Sequence, residues 1–340
     1  MRLVGKIVFF LLTAAVCLMA ENLLLPDKFL GEPFVARAYD AGENAEFRAT
    51  LVHYDSGDST AAKAVVLYIH GFNDYFFQRE LAQQLDSAGY SFYAIDLHKY
   101  GRSYREGETM GELRDIAEYF AEIDSAIAII RRAEGDSIPL VMLGHSTGGL
   151  VACLYADSRE NGKGLSAIVL NSPFFEMNYP WVARALGMPV LSAVGSVFPG
   201  IPVPRSDNRN YGSSLHRAER GEWYFDTTYK TISSLPIDFG WLHAIHKGHS
   251  RVQQGLQLQV PILVMHSDCS YKDSEWGEEY ERCDGVLDVE HIQEYGANLG
   301  PSVQLEIIKG GLHDLFLSHR PARDNAYKVM FEFLDRKLGK

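Results

Sequence analysis

The sequence predicts an α/β fold: a doubly wound, mostly parallel sheet carrying an inserted, mainly helical cap. Three observations carry this. From residue 64 to residue 171, apolar runs of strand length alternate with helical patterns, which is the signature of parallel strands joined by crossover helices. At Ile138–Ala156 a strand pattern passes through one tight glycine-bounded turn straight into a helix. From Ser172 to about Leu258 the alternation stops. The expected division is therefore a core over 30–171 and 259–340, with a cap over 172–258.

Composition sets the limits. With 46% apolar and 12% aromatic residues, 340 residues can fill a large core. A net charge of −12 excludes a phosphate-binding basic face, so nucleic acid is not an expected partner. The first 20 residues read separately. Met1–Lys6 is a short basic lead, and Ile7–Ala20 is an apolar run of signal-peptide length, too short to span a bilayer comfortably. The expectation is a signal peptide or retained N-terminal anchor, and hence an exported protein, periplasmic or secreted, associated with a membrane if the segment is kept.

Taken in order, Pro33–Tyr39 and Phe47–Tyr54 alternate like strands and should pair antiparallel at a sheet edge. Ala64–Ile69 is continuously apolar, as a strand covered on both faces must be. A helix is predicted at Gln78–Ala88, a strand at Ser91–Asp96 and a long helix at Gly111–Ala133, the last from Leu113, Ile116, Phe120, Ile123 and Ile127 at helical spacing. The strand Ile138–Leu143 leads into the helix Leu150–Ala156, and Leu165–Leu170 is the next strand. The cap is broken by Pro180, Pro189, Pro199, Pro202 and Pro204 and is rich in aromatics. The core resumes with a strand at Val260–Met265, a helix at Val289–Asn298, a strand at Val303–Ile308 and a closing helix at Arg323–Leu338.

The chemistry concentrates at Gly144-His145-Ser146-Thr147-Gly148. A serine on a sharp strand-to-helix turn lifts its hydroxyl clear of the backbone, and glycines on either side remove Cβ atoms that would crowd the turn. Ser146 is therefore the expected nucleophile. The helix start behind it offers unpaired N–H groups, so Thr147 supplies one oxyanion donor, and Phe72, in the loop after an earlier strand, supplies the other. Functional groups collect at the carboxyl ends of parallel strands, and His313 follows the last strand on the glycine-tipped loop Lys309–Leu312, which makes it the expected base. The acid is less sharply placed. Asp284 precedes the next helix and is the first choice, Asp268 at the strand end is the reserve, and Asp288 is expected to cap the helix.

Of four cysteines, Cys17 belongs to the leader and Cys153 reads as a small buried apolar residue. Cys269 and Cys283 bracket a polar segment and, in an exported chain, are expected to be bonded, which would return Asp284 to the strand end. His243, His246 and His249 fall at helical spacing with no Asp, Glu or Cys among them to complete a metal site, so an amphipathic or solvent-facing stretch is expected there, and no cofactor or metal is implied.

Together His70–Asp74, Asp96 with Tyr100–Ser103, Gly144–Gly149, Asn171-Ser172-Pro173, Asp284–Asp288 and Gly310–His313 resemble the monoacylglycerol lipase and lysophospholipase branch of the α/β-hydrolase superfamily. The resemblance implies Ser146 as nucleophile, His313 as base, Asp284 as acid and a lid over an apolar acyl pocket. The chain departs from that pattern at Lys99-Tyr100, where the family carries Gly-His, and in the stretch from Cys269 to Cys283, which interrupts the acid motif. The expected function is a serine ester hydrolase acting on a small-molecule ester or lipid-like monoester of the monoacylglycerol or lysophospholipid class. The rivals are a transacylase or peptidase using the same groups, or an inactive binding protein of this fold.

Overall fold

A computed structural model describes residues 25–57, 61–204 and 208–339. The leader and Cys17 lie outside the described residues. Among the described residues, nine strands form one sheet in the order β1-β2-β3-β5-β4-β6-β7-β8-β9. The strands are β1 Leu25–Pro26, β2 Phe34–Ala41, β3 Phe47–Tyr54, β4 Val65–Ile69, β5 Ser91–Asp96, β6 Leu140–His145, β7 Ala167–Asn171, β8 Ile262–Ser267 and β9 Val303–Ile308. β2 and β3 pair antiparallel as expected, with the unforeseen β1 outside them at the edge. From β5 through β9 every pairing is parallel.

The winding follows from strand alternation. In β4, Val65, Leu67 and Ile69 face one core, which is shared with the helices Glu118–Glu134, Thr147–Ser158 and Phe239–Gln253. Val66 and Tyr68 face the other, shared with Arg79–Ser87 and Arg320–Leu338. Both faces are covered there, so β4 reads as an unbroken apolar run. Among the described residues no helix is long and apolar enough to cross a membrane.

One expectation needs correction. The helix predicted from Gly111 begins at Glu118. Gly111 has a left-handed φ of +72°, which a helix cannot contain. Asp115 Oδ1 then accepts the Ala117 N–H at 3.0 Å, while Glu118 Oε1 accepts the N–H groups of Arg114 and Asp115, a capping arrangement that fixes the start. Leu113 and Ile116 are buried all the same, from a turn, which is why their spacing read as helical.

For the histidine cluster the structure shows the amphipathic alternative. The three histidines lie on Phe239–Gln253, the last helix between β7 and β8, which packs back onto the core through Trp241, Leu242, Ile245 and Val252. His249 belongs to that inward stripe and is buried, with its ring edge-on to Phe174 at 4.5 Å. Burial pushes its pKa down to about 3. His243 Nδ1 instead meets Ser192 at 3.0 Å.

Candidate active site

The turn after β6 has the geometry its glycines require. Ser146 takes φ 52°, a left-handed value that a side-chain-bearing residue adopts only when its surroundings enforce it. A Cβ on Gly144 would collide with the Gly148 carbonyl, and one on Gly148 with the carbonyls of Ile69 and His70. The Ser146 N–H donates to Asn171 O at 3.0 Å, which ties the turn to the end of β7. The helix begins directly at Thr147.

The hydroxyl faces a chain of buried partners. His313 Nε2 lies 3.0 Å from Ser146 Oγ, and His313 Nδ1 donates to Asp284 Oδ2 at 2.8 Å. The second Asp284 oxygen accepts the N–H groups of Val286 and Leu287, both at 2.8 Å. A carboxylate held at both oxygens fixes the imidazole tautomer, leaving Nε2 free to accept the serine proton. The structure thus brings Ser146, His313 and Asp284 together. Asp268 is exposed, and its Oδ1 accepts the Gly310 N–H at 2.8 Å on the loop that leads to His313. Asp288 caps the following helix through the Glu290 N–H.

Cys269 and Cys283 form a disulfide with Cα atoms 4.9 Å apart. Next to it, the Asp284 N–H donates to Cys269 O at 2.8 Å and Asp284 O accepts the Tyr271 N–H at 2.9 Å. The polar segment between the cysteines loops out, and the acid returns to the strand end. Cys153 is the free, buried cysteine.

Phe72 and Thr147 line the same cavity as Ser146 and His313. As first residue of its helix, Thr147 has no carbonyl one turn behind it. The Phe72 N–H has no backbone acceptor among the described residues. A Cβ on Gly71 would stand 3.1 Å from Ser146 Cβ, so the Phe72 loop runs directly against the nucleophile.

Several neighbours were given no role from the sequence, although Asp74 and His145 lie within its motifs. The ligand-capable atoms of Asp74, His145 and Asp314, all buried, lie within 4.8 Å of one another. A fixed cation already serves this cluster: Lys230 Nζ pairs with Asp74 at 3.0 Å. Asp314 accepts from Gln78 at 3.1 Å and from Asn171 at 2.7 Å. Burial lowers the pKa of His145, so its ring is neutral at neutral pH. Asn73 and Asp74 could have been flagged as neighbours of Phe72, but Lys230 sits in a stretch with no motif.

The profile of the family described as serine aminopeptidase, S33, matches residues 60–319, well over half of the chain. The chain belongs to this family. It is a serine ester hydrolase of the α/β-hydrolase fold. It is 29% identical over 210 residues to a monoacylglycerol lipase of Mycolicibacterium smegmatis, covering 62% of this chain and 71% of that one. It is 27% identical over 208 residues to the phospholipase YtpA of Bacillus subtilis, covering 60% and 74%. In structure it is similar to a soluble variant of monoglyceride lipase from Saccharomyces cerevisiae in complex with a substrate analogue. The TM-score there is 0.67 at 16% identity, over 93% of this chain and 97% of that one, a likeness of fold.

Proposed function

We propose that the protein hydrolyses lipid-like monoesters of the monoacylglycerol or lysophospholipid class through a Ser146–His313–Asp284 triad and an acyl-enzyme. Ser146 Oγ attacks the acyl carbonyl as His313 Nε2 takes its proton. Asp284 stabilises the resulting imidazolium, and the Phe72 and Thr147 N–H groups receive the oxyanion. The intermediate collapses with cleavage of the ester C–O bond as the His313 imidazolium gives its proton to the departing alcohol. Water, deprotonated by His313, then attacks the acyl-enzyme, and the proton returns to Ser146 Oγ as the acid is released.

The observation that carries the substrate class is the cavity above Ser146. It measures about 370 Å³, and Phe72, Phe174, Met177, Val203, Ile237 and Trp241 are among its apolar walls. Much of that lining comes from the segment between β7 and β8, which we read as the lid. An aminopeptidase must hold a substrate ammonium, yet no Asp or Glu lines this cavity among the described residues; its charged walls are Lys230 and Lys272, beside His313 and His145. That favours an ester with an apolar acyl group over a peptide. Export remains part of the proposal: Cys269–Cys283 supports it, since such bonds persist in oxidising compartments.

The test is a panel of monoacylglycerols, lysophospholipids and aminoacyl anilides run on wild type and Ser146→Ala. Monoesters should turn over and anilides should not, and Ser146→Ala should lose at least about 10⁴-fold in kcat. Faster cleavage of anilides than of monoesters would reject the ester reading, and retained turnover by Ser146→Ala would reject the nucleophile.

A further inference from the structure

Hydrogen bonds to the core hold the loop carrying Phe72 at its two ends. At its start, His70 Nε2 accepts the Leu97 N–H at 3.1 Å. At its far end, the Phe76 N–H donates to Asp96 Oδ1 at 2.8 Å. Between these points, the side-chain hydrogen bonds of three successive residues all go to the segment between β7 and β8.

Asn73 takes the left-handed φ of 54° and uses its amide as a backbone mimic. Its Nδ2 donates to Thr231 O at 2.9 Å and Ser233 O at 3.3 Å, and its Oδ1 accepts the Thr231 N–H and hydroxyl, both at 3.0 Å. Asp74 Oδ1 accepts Lys230 Nζ at 3.0 Å. Tyr75 Oη accepts the Asp226 N–H at 2.9 Å. The Phe72 ring itself rests on Trp241, with centroids 4.8 Å apart.

We infer that Lys230 and Thr231 are positioning residues for this enzyme, holding the Phe72 N–H at the oxyanion through Asp74 and Asn73. The inference rests on the proposed role of Phe72 in ester hydrolysis. Two physical facts give it force. Asp74 is buried and Lys230 is its ion-pair partner. Removing the ammonium leaves an uncompensated buried carboxylate, and the loop relieves that by shifting toward water. The loop also abuts the nucleophile at Gly71, so it cannot shift without moving the donor. A donor is effective only within about 0.5 Å of its productive place, and a displacement of about 1 Å can cost on the order of 100-fold.

The decisive variants are Asn73→Gly, which keeps the left-handed turn and removes the amide, Thr231→Val, Lys230→Met and Lys230→Arg. Each is assayed on a soluble butyryl ester and by inhibition with a trifluoromethyl ketone, whose adduct with serine places an oxyanion in the hole. Turnover is expressed per serine titrated to completion with a fluorophosphonate, so misfolded protein does not enter the rate. For Asn73→Gly and Lys230→Met, kcat should fall about 10- to 100-fold with KM within about threefold, and the ketone inhibition constant should rise in proportion. Lys230→Arg should recover most of the loss, and Thr231→Val should show a smaller loss in the same direction. Unchanged kcat and ketone affinity in Asn73→Gly and Lys230→Met, with only the melting temperature lowered, would overturn the inference. So would a loss of kcat without weaker ketone binding. Ser146→Ala separates the two readings: an active Ser146→Ala removes the proposed function, whereas an inactive one beside fully active Asn73→Gly and Lys230→Met removes this inference alone.

Discussion

The two oxygens of Asp284 have separate tasks: Oδ1 takes two backbone N–H groups and Oδ2 takes the imidazole. The carboxylate nearer the end of β8, Asp268, also bears on His313, but through the backbone of the loop that carries it. This predicts unequal effects of one substitution. Asp284→Asn replaces an acceptor with a group that can donate to Nδ1, favouring the wrong tautomer, and kcat should fall by about 10³- to 10⁴-fold. Asp268→Asn keeps Oδ1 and its bond to Gly310, and kcat should stay within about twofold, as for an exposed position. Steady-state kinetics on one soluble ester decides between them; a larger loss in Asp268→Asn would mean that loop tethering dominates over charge at the imidazole.

At the level of elements, the central strands were the most legible feature because burial on both faces leaves an unbroken apolar run, as in Val65–Ile69 and over residues 262–265. The strand-turn-helix around Ser146 was legible because few arrangements tolerate two glycines flanking a serine so closely. The disulfide was legible from compartment chemistry, and it resolves the acid's position. Less was legible where burial comes without regular structure, as at Leu113 and Ile116, or where one residue departs from its neighbours, as His249 does within Phe239–Gln253. That histidine makes its helix sensitive to acid. Burial depresses its folded pKa from the ordinary value near 6.5 to about 3, so between these limits the unfolded chain binds a proton that the folded chain refuses. Stability from this group is complete above about pH 6.5 and is lost as pH falls toward 3; between pH 7 and pH 5 the loss is about 2 kcal/mol. Urea unfolding at those two pH values should show His249→Leu less acid-sensitive than wild type by that amount, and parallel pH dependence in the two proteins would mean that His249 binds its proton equally well folded and unfolded.

Across the whole molecule, the segment between β7 and β8 is joined to each loop of the site. It meets the Phe72 loop through Lys230 and Thr231, the Asp284 loop through Asn178 donating to Val286 O at 3.0 Å, and the His313 loop through Trp223 donating to Leu317 O at 2.7 Å. None of these bonds has a local sequence signature, since each joins residues far apart in the chain. They enclose a cavity whose walls come from both parts of the fold. Val203 and Ile237 of the inserted segment are held together by a backbone bond of 2.9 Å, and they face the same space as Val286 and Leu287 of the core. Acyl length should therefore be set by side chains of the inserted segment, with the triad left alone. Ile237→Trp adds bulk to the apolar wall without touching Ser146, His313 or Asp284. Turnover of long-chain monoesters should fall at least about tenfold while acetyl and butyryl esters stay within about twofold, because lost acyl contacts of a few methylenes are worth about 1–3 kcal/mol each. Equal losses across all chain lengths would place the acyl group elsewhere and leave Ile237 as a packing residue only.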